Sequence, residues 1–338
     1  MPTSSRVVSL LTSVIQSRRR LALPLAAAPG MQLLKLSADD VHRSGQLQFE
    51  CIRTLAVQTG AEVLVTFMDL SVEAEAFGCA IRHSDTGNPE IVGTIKPERL
   101  TTPTVGAGRT GEVLRCAELC AEQLAQPVLG GLIGPFSLAC LLIGMSEMMV
   151  MAAVEPDHAH AILQIAADFL RQYLLALRQT GLAGAIIAEP SAGLLSPEMS
   201  RDFSVHYLRQ IIAPAKSDDF AVILHNCGKT EKQVSVLLSS GADALHVGNA
   251  VDIRQVLAQA PPDFPILGNL DPVGVLCDGA EDTVRAAVRE LLQTTAAYPN
   301  HIVSSGCDIP AQTPIANIKA FFAAVQDYTT RRTSHDRL

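Results

Sequence analysis

Ala221-Val222-Ile223-Leu224-His225-Asn226-Cys227 is a short apolar run that ends on polar side chains. It is too short for a buried helix and lacks polar–apolar alternation, as expected of a parallel strand covered on both faces. Comparable runs stand at Leu21–Ala27, Glu62–Phe67, Pro127–Leu132, Ala183–Ala188, Ala244–Val247, Pro265–Gly268 and Ile302–Ser305, which makes eight with Ala221–His225. Helix signals lie between them. Ser37-Ala38-Asp39-Asp40 reads as an N-cap with an acidic first turn, and Gly60 sits where a helix should stop. Further helices are expected at Gly111–Leu124, Asp157–Gly181, Thr230–Ser240, Ala280–Thr294 and Pro314–Tyr328. Strand and helix alternating in this way predict an α/β chain with a single (β/α)8 TIM barrel over residues 1–328 and a polar, frayed tail over 329–338. After the second strand, Cys79–His83, a turn at Asp85–Pro89 and Ile91–Gly93 read as an inserted β-hairpin that forms a wall or lid over one barrel mouth.

The bulk properties narrow the function. The chain has 338 residues, 48% hydrophobic and 18% charged, which suits a globular protein with a large core. A net charge of −8 argues against a nucleic-acid partner, which needs a basic face, and against an anionic membrane surface. Eight cysteines without a repeating spacing favour reduced thiols and a cytoplasmic location over a disulfide framework. In Ser4–Arg20 the basic residues follow the apolar positions, the reverse of a signal peptide, so an ordinary first helix is expected. The uncharged run Gln123–Ser146 is long enough to span a bilayer, but Gly130, Gly131, Gly134 and Pro135 punctuate it as strand, turn and buried helix.

Chemistry concentrates at the strand ends. Positions i and i+2 of a strand share a side, so His225 and Cys227 can project together into a barrel mouth. Cys307 follows the eighth strand, and barrel active sites lie at the C-terminal ends of strands. Buried histidines and cysteines are common in cores, and a lone His-x-Cys says little. With Cys307 the set becomes three soft ligands and an open fourth corner, the requirement of a catalytic zinc. Three carboxylates also stand at strand ends: Asp69, Glu189 and Asp271, each with a turn or cap as the plainer reading. Glu189, one strand before His225, is placed to fill the open corner at rest or to accept a thiol proton. Cys116 and Cys120, four apart on a helix, read as packing. Met145, Met148, Met149 and Met151 read as adaptable filler or a greasy contact surface, and His158 and His160 as solvated. His246 lies in the sixth strand and faces the pocket in one of its two orientations. The chain has no P-loop, no GxGxxG after a strand and no serine nucleophile elbow.

Taken in order, Phe67-Met68-Asp69-Leu70 with Glu73-Ala74-Glu75, Gly134-Pro135-Phe136, Glu189-Pro190, Gly241-Ala242-Asp243-Ala244, Gly268-Asn269-Leu270-Asp271-Pro272 and Ser305-Gly306-Cys307 before Thr313-Pro314 resemble the uroporphyrinogen decarboxylase superfamily over nearly the whole chain. The resemblance implies a (β/α)8 barrel. Within the superfamily the chain is more similar to the methylcobamide:coenzyme M methyltransferase branch than to the decarboxylases. Decarboxylases carry an RQAGR segment after the first strand, where this chain has Ala26-Ala27-Ala28-Pro29-Gly30-Met31-Gln32-Leu33 without arginine. Arg18–Arg20 precede the strand, at the wrong barrel end. The methyltransferases' His-x-Cys…Cys zinc set maps onto His225, Cys227 and Cys307, and Asp69 is the carboxylate retained from the common pattern.

The resemblance implies a zinc-dependent enzyme of one-carbon metabolism that moves a methyl group between a methyl–cobalt corrinoid and a thiol such as coenzyme M. The chain has no DxHxxG corrinoid signature, so the corrinoid (methylcobalamin) is expected on a separate protein, docked over the mouth near the hairpin and Met145–Met151. The alternatives are a uroporphyrinogen decarboxylase, or the same transfer with another thiol or a folate. Arg82 and Arg109 are the basic residues near the inserted segment.

Overall fold

The structure, a computed structural model, describes residues 7–17, 19–85 and 87–335. Seven strands form one parallel sheet: β1 (Leu64–Val65), β4 (Val128–Ile133), β5 (Gly184–Ala188), β6 (Ala221–Asn226), β7 (Ala244–Val247), β8 (Ile266–Leu270) and β9 (His301–Ser305), hydrogen-bonded in that order. The two remaining strands, β2 (Ala80–Arg82) and β3 (Glu90–Val92), pair antiparallel with Ile81 opposite Ile91, in the segment after β1. Leu21–Leu25 runs beside β9 at one edge of this curled sheet. Leu23 donates to the Val303 carbonyl at 2.9 Å, Val303 donates to that of Leu21 at 3.0 Å, and Ala22 bridges Val303 in parallel. The next amide facing β9, that of Leu25, donates to Ser305 Oγ at 3.0 Å and not to a backbone carbonyl, so the segment is a bridge and not a full strand.

Period two sorts each strand into two cores. Leu21, Leu23, Val63, Val65, Ile186, Ala188, Ala221, Ile223, Ala244 and Ile302 meet inside the barrel. Ala185, Ile187, Val222, Leu224 and Leu245 face the helical layer. Each large aliphatic side chain so buried contributes roughly 1.5–3 kcal/mol of transfer free energy. The first helix, Val7–Ser17, buries Val7, Leu11 and Val14 on one face and adds them to the interior core. Arg20 donates to the carbonyls of Thr295, Ala296, Tyr298 and His301, so its charge is spent where β9 begins, opposite the C-terminal mouth.

Local signals act as read, with two differences. Ser37 accepts from the Asp40 amide and Gly60 ends its helix at φ 64°. Between them, however, are two helices, Ala38–His42 and Gly45–Thr59, because Ser44 caps the second by accepting from the Leu47 amide. The closing helix Ile315–His335 continues through the stretch expected to fray, and residues 336–338 lie outside the described ones. Among the described residues no single helix is long and apolar enough to cross a membrane. Pro135–Ile143 and Met145–Val154 pass together on composition, but they bend by 112° and the first is almost wholly buried.

Candidate metal centre

His225 stands one residue before the end of β6, in line with the inward-facing Ala221 and Ile223. The strand's parity therefore turns His225, and Cys227 after it, towards the barrel axis. Cys307 comes from the turn after β9. The ligand atoms of His225, Cys227 and Cys307 all lie within 4.8 Å of one another, the one such group of three found among the described residues. Cys307 Sγ is 3.7 Å from His225 Nε2. A tetrahedral ion bonded to nitrogen and sulfur at ordinary lengths sets that edge at ~3.6 Å. That edge and the donor set, one imidazole and two sulfurs, fit a small soft cation. The group lines a cavity of about 470 Å³, bounded also by Met68, Asp69, Leu141, Ala188 and Asp308, and by Asn88–Ile91 of the hairpin.

The chain prepares this site electronically. Hydrogen bonding from Cys307 holds the Cys227 thiol well below its usual range, while the same shared proton and burial push Cys307 far up. The histidine is set by a relay behind it. Ser304 donates to the Leu23 carbonyl at 2.6 Å, so its oxygen accepts from His246 Nε2 at 2.8 Å. Burial holds the His246 imidazole well below its usual range and hence neutral. His246 Nδ1 is then an acceptor for His225 Nδ1–H, 2.7 Å away. That assignment leaves His225 Nε2 bare and aimed at the sulfurs. His225 and His246 are paired residues in the β6–β7 register, which is why their rings meet.

The carboxylates separate by role. Asp69 lines the cavity. Burial would raise its carboxyl, but a contact from His42 Nδ1 at 3.2 Å and the Arg109 guanidinium hold it well below the ordinary range. Arg109 also binds Glu75 at 2.5 Å and Ser71 Oγ at 2.7 Å. Glu189 is fully buried and does not join the ligand cluster, contrary to the expectation that it fills the open corner or takes a thiol proton. Ala188 faces inward, so its successor faces the helical layer. There Glu189 accepts from the Phe136 and Ser137 amides, both at 2.9 Å, and from Ser204 Oγ at 3.0 Å. Its carboxylate caps the helix Pro135–Ile143, and a Cβ on Gly134 would overlap it. Asp271 caps the turn after β8 by accepting from Val273 and Gly274. Asp308, which spacing did not single out, lines the cavity beside Cys307, and burial pushes its carboxyl up to about 7.

Several other candidates resolve as structure. Cys116 and Cys120 are buried with sulfurs 4.0 Å apart and no third ligand beside them among the described residues. Met148 and Met151 are core, while Met145 is exposed. His158 pairs with Glu155 in solvent, whereas His160 stacks on Phe203 and bonds Tyr207. Arg82 pairs with Glu90 across the hairpin.

Comparison with known proteins agrees with this architecture. The sequence model described as "Uroporphyrinogen decarboxylase (URO-D)" matches residues 26–328. A methylcobamide:CoM methyltransferase, MtbA, of Methanosarcina mazei is 30% identical over 279 residues, covering 80% of both chains. A uroporphyrinogen decarboxylase of Coxiella burnetii is 26% identical over 285 residues, covering 80% of this chain and 78% of that one. The solved structure of a methyltransferase from Methanosarcina mazei superposes with a TM-score of 0.81 at 23% identity, over 92% of this chain and 94% of that one. The chain belongs to the uroporphyrinogen decarboxylase family, and within it resembles the methylcobamide:CoM methyltransferases.

Proposed function

We propose that this protein is a zinc-dependent methyltransferase that passes a methyl group between a methyl–cobalt corrinoid and a thiol. The observation that carries the reading is the convergence of His225, Cys227 and Cys307 on one wall of an open cavity. When bound there, zinc would hold a substrate thiol as its thiolate at neutral pH. The names of the relatives supply the corrinoid. The chain's own contribution is alignment. His246 and Ser304 hold the imidazole, Cys227 and Cys307 supply the charge that balances a dication, and the cavity directs the incoming sulfur to the fourth corner. In the transfer the S–CH3 bond forms, the Co–CH3 bond breaks with its electron pair staying on cobalt, and the thiol proton leaves to water.

A corrinoid is far larger than a cavity of about 470 Å³, so its methyl must be presented from outside. Of the seven exposed large apolar residues among those described, six (Val92, Met145, Val150, Val154, Leu194 and Val273) lie on segments that leave strand C-termini. Such a rim suits a docked corrinoid protein. The decarboxylase alternative is disfavoured because none of the described lining residues is Lys or Arg to hold a polycarboxylate. Zinc analysis with a methylcobalamin:thiol assay tests the reading. One zinc per chain and thioether formation are expected, both lost in Cys307→Ala; full transfer by that variant at wild-type zinc content would overturn it.

A further inference from the structure

The cavity beside the ligand cluster is largely apolar, and none of its described lining residues is Lys or Arg to receive an anion. Its lining acids among those described are Asp69, held by Arg109, Glu90, held by Arg82, and Asp308, and Met68, Ile91 and Leu141 cover part of the rest. The guanidinium bound to this wall is already spent: Arg109 is 7% exposed and holds Asp69, Glu75 and Ser71. The imidazole of His42 is 2% exposed and faces Asp69. Arg82 pairs with Glu90, and its side chain is 68% exposed on the outside of the hairpin. The cation itself offers no surplus charge, since two cysteine thiolates cancel a divalent ion. A coordinated substrate thiolate then makes the site net negative. A second negative charge on the same small molecule would find no free cationic partner on the described lining, an arrangement that selects against such a ligand.

We propose that the open corner takes a thiol whose far end is uncharged or cationic, and that thiols ending in a sulfonate, carboxylate or phosphate are rejected. This deepens the proposed function and rests on it. It also separates the chain from what the names of its methanogen relatives state for those proteins, because coenzyme M is 2-mercaptoethanesulfonate.

Three thiols with the same two-carbon body test the charge alone: 2-aminoethanethiol, 2-mercaptoethanol and 2-mercaptoethanesulfonate. The full-length protein is loaded with cobalt(II), and each thiol is titrated while sulfur-to-metal charge-transfer absorption is followed. The sulfonate is expected to half-saturate at a concentration about tenfold or more above the other two. 2-Mercaptoethanol has the least acidic thiol of the three, so its advantage would not be one of acidity. Ile91→Lys sets an ammonium on the hairpin wall without touching a ligand. It is expected to tighten the sulfonate about tenfold relative to 2-mercaptoethanol in the same variant. Wild-type binding of the sulfonate as tight as that of 2-mercaptoethanol would overturn the proposal and leave the methyltransferase reading standing. A metal spectrum indifferent to all three thiols would overturn both.

Discussion

His246 touches none of the cavity, yet it decides which nitrogen His225 can offer. Its Nδ1 takes the His225 proton because Ser304 holds its Nε2 and the Leu23 carbonyl in turn fixes Ser304. Loss of such an outer partner typically weakens a metal site ~10–100-fold. His246→Ala is therefore expected to raise the zinc dissociation constant by about that factor with an unchanged circular dichroism spectrum, measured by competition against a chelating dye. This relay is hard to read from sequence. His246 and Ser304 are 58 residues apart and meet only through the order of β7, β8 and β9. His225 and Cys227 were legible for the opposite reason: an i, i+2 pair on a strand needs no long-range knowledge to share a side. Asp69 was legible as a strand-end acid, but its partner Arg109, 40 residues on, was not.

At the scale of elements, two buried glutamates act as struts. Glu189 satisfies two amides at the start of the helix Pro135–Ile143, while its backbone pairs with that of His225 and its carbonyl accepts from Asn226. Glu189→Ala would strand buried donors and is expected to destabilise the fold by roughly 3 kcal/mol or more. The zinc content of the folded fraction should not change, and combined thermal melting and metal analysis would show both. The direction of Glu189 was legible in principle, since Ile186 and Ala188 fix the inward parity. It was missed because proximity to His225 in strand order outweighed the alternation.

Glu73 is the second strut, on the short helix Val72–Ala76. It accepts from the Ile133 amide and leaves its other oxygen without a partner. Burial raises its carboxyl from 4.5 to about 7. Folding then favours the protonated form, so its contribution is fully present below about pH 4.5 and lost as the pH rises through about 7. Denaturant titrations across that window should show stability falling by about 3 kcal/mol from this group, with Glu73→Gln flattening the fall.

For the whole molecule, the barrel order was legible because seven buried runs carry the parallel-strand pattern, and each appears in the sheet. The eighth, Leu21–Ala27, reads the same by composition, but its backbone contributes only a bridge and single bonds to β9. The apolar rim could not be read in advance, since exposure of Val150, Val154 or Leu194 depends on how the loops close around the mouth. If the rim docks a corrinoid protein, Val154→Asp with Leu194→Asp should slow methyl transfer from the protein-bound corrinoid about tenfold or more and leave transfer from free methylcobalamin unchanged. Equal slowing of both would place the effect inside the cavity and not on the rim.

X-ray absorption at the zinc edge tests the ligand set most directly. The account predicts one zinc per chain with two sulfur neighbours at ~2.3 Å and one nitrogen at ~2.0 Å. A third sulfur should appear when thiol is added, and one sulfur fewer should be seen in Cys307→Ala. A zinc shell of oxygen and nitrogen alone, or a protein that purifies without zinc and takes none up, would contradict it.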